Sequence, residues 1–139
     1  MTFIGKFHPL LVHFPIALVL AAAAAELVVI ATARKAWRQV AVANICAAAA
    51  IGIVTAITGW LFASSPSVDV TPSLEWHRWL GIAGAVGAIG AALLSSRLHV
   101  SSRRWAFVYR FLLFVTALLV AITGHLGGTL VWGAGFLRP

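Results

Sequence analysis

The sequence predicts an all-α membrane protein: a four-transmembrane-helix bundle built from two parallel helical-hairpin pseudo-repeats. Three observations carry that expectation. Of 139 residues, 62% are hydrophobic and 9% charged, against about 25% charged in a soluble domain. The apolar residues fall into four runs, each as long as the roughly 20 residues a helix needs to cross a bilayer. Short motifs recur between the first half and the second. The net charge of +7 does not point to nucleic acid, because the basic residues sit in loops between apolar runs. Cys46 is the single cysteine, so no disulfide forms within the chain. A cleavable signal peptide is not expected, since the first apolar run is too long for one.

Span one is expected at about 9–33. Pro9 suits the first helical position, where a missing N–H costs nothing, and this places His8 at the N-cap. Pro15 is expected to bend the helix or open its first turns. Arg34, Lys35 and Arg38 form the first turn-around. Span two covers about 39–63 and ends in Thr58-Gly59-Trp60. Span three, about 72–98, opens with a Thr71 N-cap and Pro72 at the first helical position. Its Gly81, Gly84, Gly87 and Gly90 allow close helix approach. Span four covers about 105–128 and ends in Thr123-Gly124-His125-Leu126-Gly127-Gly128.

Basic residues set the orientation. Arg34, Lys35, Arg38, Arg97, Arg103, Arg104 and Arg110 belong to one side, and Lys6, Arg78 and Arg138 to the other. Cytoplasmic loops carry the excess, so both termini are expected outside the cytoplasm. Trp60, Trp76, Trp79 and Trp132 then mark the outer interface, and Trp37 and Trp105 the inner one.

The repeat rests on Ala56-Ile57-Thr58-Gly59-Trp60 and Ala121-Ile122-Thr123-Gly124-His125, at an offset of 65. His13 falls near His77 at an offset of 64, Pro9 matches Pro72 at 63, and Trp37 lies near Trp105. Two hairpins of the same topology imply a twofold axis along the membrane normal, and such repeats place sites at their interface.

The chemistry lies in the histidines. His8, His13, His77 and His125 are all expected in one layer at the outer face. Ionisable residues in a membrane face the bundle interior, and neutral imidazole is a common metal ligand. His8 and His13, five residues apart, point about 140° from each other on a regular helix. His13 and His77, on different helices, suit the two axial positions of a six-coordinate haem. His77 and His125 are the alternative axial pair. Glycines of span three would make room for the macrocycle, Arg78 would pair with a propionate, and Trp60 and Trp79 would pack on the ring edges. His8 alone reads as a capping or solvated residue, and His99 as solvated. No Cys-x-x-Cys-His is present, which excludes covalent haem. Copper or zinc on His8, His13, His77 and His125 is the alternative to haem. Glu26, the one acid within a span, is expected to pair with Arg110, the rival role being a proton relay. Cys46, Asn44, Thr55 and Thr116 read as packing or interhelical hydrogen-bonding residues.

At His8-Pro9-Leu10-Leu11-Val12-His13-Phe14-Pro15-Ile16, His77-Arg78-Trp79-Leu80-Gly81 and Thr123-Gly124-His125-Leu126-Gly127-Gly128, the chain resembles the DUF2231 family of small four-span bacterial membrane proteins. The resemblance covers nearly the whole chain. Relatives in that family are joined to cytochrome c-like or Rieske-type domains, which implies a redox role at the outer face. This chain lacks such a domain, so its redox partner would be a separate protein.

The sequence is therefore read as a b-type cytochrome-like subunit of the bacterial inner membrane. It is expected to bind one haem b per chain and to exchange electrons with a quinol or an extracytoplasmic redox protein. It is not expected to be an enzyme by itself. A copper- or zinc-binding membrane protein is one rival. Against a transport role, Met1 is the only methionine, and no acidic path crosses the bundle. A structural subunit of a membrane complex is the other rival.

Overall fold

The structure is a computed structural model, and it describes residues 3–99, 103–133 and 135. Four helical spans dominate it: Phe3–Thr32, Lys35–Ala63, Pro72–Leu98 and Arg103–Trp132, each long and apolar enough to cross a membrane. Span one begins with a 3-10 turn, Phe3–Phe7, followed by α1 (His8–Leu11) and α2 (His13–Thr32). Span two is α3 (Lys35–Ala63). Span three is α4 (Pro72–Ser95) with a closing 3-10 turn, Ser96–His99, and span four is α5 (Arg103–Trp132).

The interruption at Val12 follows from Pro15, which has no N–H to donate to the carbonyl four residues back. The chain stays near-helical there: Val12 has φ −60° and its N–H donates to His8 O at 2.9 Å. Span one ends where Ala33 turns left-handed at φ 56° and donates to Val29 O. Span three starts as its sequence suggests, with Thr71 Oγ1 accepting from Leu74 N–H at 3.2 Å ahead of Pro72. His8 is not an N-cap. It lies inside the helical run, and Phe7 before it makes no side-chain cap.

The spans succeed one another round the bundle. Here α2 packs on α3, α3 on α4, α4 on α5, and α5 returns to α2. The core is built largely of small residues: Ala22, Ala23, Ala48, Ala49, Ala88 and Ala91 surround Val19, Ile45, Tyr109 and Leu113. Between helices in lipid the attraction is close van der Waals contact rather than escape from water, so small side chains that let backbones approach do the work.

The glycines of span three face α5, and this corrects the expectation that they shape a slot for a macrocycle. A Cβ on Gly81 would meet Thr123, on Gly84 Val120, on Gly87 Thr116, and on Gly90 Leu112. The four contacts step down one helix and up the other, forming a ladder that seats α4 against α5.

Candidate functional site

Two histidines meet at one end of the bundle. His8 comes from span one and His77 from span three, which are not neighbours in the ring of helices. Their ring centroids lie 6.3 Å apart with planes at 78°. Both residues are half-buried. The pair thus sits across the bundle, between its two hairpins.

Each ring is held in the same way by the helix that follows it. His8 Nδ1 is 3.1 Å from Thr55 O on α3, and His77 Nδ1 is 3.0 Å from Thr123 O on α5. A carbonyl can only accept, so each Nδ1 carries the proton. In a neutral imidazole that leaves Nε2 with its lone pair. Both threonines turn their own hydroxyls back along the helix, Thr55 Oγ1 to Ile51 O at 3.0 Å and Thr123 Oγ1 to Leu119 O at 2.8 Å.

One turn further on, a glycine opens the helix surface for each ring. A Cβ on Gly59 would come within 2.7 Å of His8 Cε1, and one on Gly127 within 3.0 Å of His77 Cε1. The equivalent positions are His8 and His77, Thr55 and Thr123, Gly59 and Gly127. Their offsets, 69, 68 and 68, differ from the 65 of Ala56–Trp60 and Ala121–His125, the 64 of His13 and His77 and the 63 of Pro9 and Pro72. The signal for this register is the spacing Thr-x-x-x-Gly, present at Thr55–Gly59 and Thr123–Gly127, and Trp37 and Trp105 share its offset of 68.

The structure joins His77 to His8 rather than to His13 or His125. His13 is exposed on the outward face of α2, beside Phe14, Ala17 and Leu18. His125 is also exposed. The helical phase accounts for His13, since five residues from His8 it faces nearly the opposite way. Arg78 lies over the Trp60 ring at 4.0 Å, and Trp60 meets Trp79 edge to face at 6.2 Å. The expected tryptophans and arginine therefore form one cluster, on the same end as the histidine pair. The side chain of His99 lies outside the described residues.

A second polar cluster occupies the other half of the bundle. Glu26 is fully buried, and its Oε1 accepts from Arg38 Nη2 at 2.6 Å and Arg110 Nε at 2.8 Å. The Glu26–Arg110 pair was legible in the sequence. The sequence pattern puts Arg38 in the first turn-around, but α3 begins at Lys35 and carries it into the bundle, where it also lies 5.6 Å from the centre of the Tyr109 ring.

The chain matches the model of one protein family, described as predicted membrane protein (DUF2231), over residues 6–137. It belongs to the DUF2231 family. The matched segment contains the histidine pair, both threonine–glycine supports and the Glu26 cluster. Comparison with curated proteins and with solved structures finds no match. His8 and His77 are the two imidazoles that the structure brings together. Among the described residues no group of three or more His, Cys, Asp or Glu is placed to hold a metal ion.

Proposed function

We propose that this DUF2231 protein is a b-type cytochrome-like electron-transfer subunit that binds one haem b between His8 and His77. The observation that carries the reading is the His8–His77 pair, with each Nδ1 committed to a backbone carbonyl. A hydrogen bond from the other ring nitrogen fixes the tautomer and orientation of a ligating histidine. The ring centroids lie 6.3 Å apart, one imidazole from each hairpin, so His8 and His77 would be the residues that hold the haem iron.

The donor count supports haem over zinc. Zinc sites take four ligands, three or four of them from protein, whereas a haem iron asks the protein only for its axial positions. When bound there, the haem would supply single-electron transfer. On this reading Arg78 is placed for a propionate, and Trp60 and Trp79 for the ring edge. The two hairpins act as pseudo-repeats, each contributing one histidine, one threonine carbonyl and one glycine.

The same reading places the protein in a bacterial inner membrane with both termini and the histidine pair outside the cytoplasm, as the distribution of basic residues favours. Its electron partners are then a quinol in the bilayer and a separate cytochrome c-like or Rieske-type protein. The test is a reduced-minus-oxidised spectrum of the detergent-purified protein, with a pyridine haemochrome assay. A b-type α-band at about one haem per chain is expected. A colourless protein carrying one copper per chain would move the site to two-coordinate copper, and a protein with neither would overturn the proposal.

A further inference from the structure

Arg110 stands between two unlike surroundings. On one side its Nε holds the buried Glu26 carboxylate. Its side chain is nevertheless 34% exposed, and on that side it borders an open groove of about 520 Å³ formed with Phe107, Phe111, Phe114, Val115 and Leu118. Small-molecule sites span roughly 300–1,000 Å³, so the groove is large enough for a ligand. Residues 107, 111, 114 and 118 recur at the spacing of a single helix face. Arg103, also exposed, continues that face four residues before Phe107. At about 1.5 Å rise per residue, it lies roughly 10 Å nearer the helix end than Arg110.

The charge there is unbalanced. Glu26 supplies one negative charge and Arg38 and Arg110 two positive ones, with both arginines on the same oxygen. Among the described residues, Glu26 Oε2, Arg38 Nε and the Tyr109 hydroxyl are buried with no hydrogen-bond partner. An uncompensated charge at membrane depth is costly and finds a counter-charge. The groove offers an occupant Arg110 among apolar side chains, with Arg103 on the same face nearer the helix end. Only an anion with a hydrocarbon tail satisfies both.

We propose that this groove is a specific site for one acidic phospholipid, with its phosphate against Arg110 and Arg103 and an acyl chain along Phe111, Phe114 and Leu118. Basic residues near a membrane surface attract anionic headgroups, and arginine is suited to phosphate by its planar set of donors. The site lies on the opposite half of the bundle from the histidine pair and does not depend on what that pair binds.

The test places a reporter in the groove. Phe111→Trp protein is reconstituted in phosphatidylcholine vesicles containing equal mole fractions of brominated phosphatidylglycerol or brominated phosphatidylcholine, and the signal of the unsubstituted protein is subtracted. The added tryptophan is expected to be quenched several-fold more by the acidic lipid. Leu93→Trp, an exposed position on α4, is expected to show no preference. Arg110→Gln in the Phe111→Trp background should abolish the preference. Arg103→Gln, at an exposed side chain that leaves the Glu26 pairs in place, should weaken it. Equal quenching by both lipids at position 111, the same preference at position 93, or full preference in both arginine variants would each overturn the proposal.

Discussion

His8 and His77 are held alike: each donates Nδ1–H to a threonine carbonyl on the following span, and the two rings meet edge to face with centroids 6.3 Å apart. Each hairpin binds its own histidine, and the two histidines then bring the hairpins together. A haem bound as proposed would therefore also tie α1 to α4.

The proposed His8–His77 ligand pair is separable from the other histidines by substitution. His8→Ala or His77→Ala should reduce haem content, measured by pyridine haemochrome on purified protein, to near zero. His13→Ala and His125→Ala remove exposed rings and should leave at least most of it. Haem retained at the unsubstituted level in His8→Ala protein would eliminate the pair.

The glycines beside the rings should be sensitive in a graded way. In Gly59→Ala the new methyl lies 2.7 Å from His8 Cε1, and in Gly127→Ala 3.0 Å from His77 Cε1. Overpacking of this kind typically costs about 1–3 kcal/mol. The first substitution should displace His8 from Thr55 O and lower thermal stability in detergent more than the second. Equal or negligible shifts for both would mean that the rings do not rest on these backbones.

The sequence made the four spans legible, because apolar length and loop polarity are local properties. The Thr71–Pro72 start and the Glu26–Arg110 pair were legible for the same reason, each depending on residue type and depth along its own helix. Which histidine of span one turns inward was not. His8 and His13 differ by about 140° of helix rotation, and nothing within that span says which direction is inside. The answer lies in long-range contacts: Gly5 packs so tightly on α3 that a Cβ would sit 2.9 Å from Phe62 N, and Gly59 gives His8 its place. The glycines of span three were correctly read as sites of close approach, but residue type alone could not say that their partner is α5.

Glu26 should be the most sensitive charged position. It is fully buried between two arginines that are partly exposed, at 21% and 34%. Removing one member of a buried ion pair leaves the remainder uncompensated, at a cost of about 3–5 kcal/mol. Glu26→Ala strands both arginines, whereas Arg38→Gln or Arg110→Gln leaves Glu26 one cation. Thermal unfolding in detergent should rank Glu26→Ala as the most destabilised of the three. A reversed order would mean that the arginines are stabilised by lipid or solvent rather than by the carboxylate.

The α4–α5 ladder is tested by a pair of substitutions that should cancel. A Cβ on Gly87 collides with Thr116 Oγ1, and that hydroxyl is fixed by its bond to Leu112 O at 2.7 Å. Gly87→Ala alone forces either the threonine rotamer or the helix spacing to change, and should cost about 1–3 kcal/mol. Thr116→Ala removes the obstructing hydroxyl and methyl, and leaves only an ordinary contact at 3.4 Å to its Cβ. The double variant should therefore be more stable than the sum of the single effects predicts, with a coupling of about 0.5–3 kcal/mol in a double-mutant cycle. Strict additivity would place Gly87 and Thr116 out of contact and remove the ladder as the element that seats span three against span four.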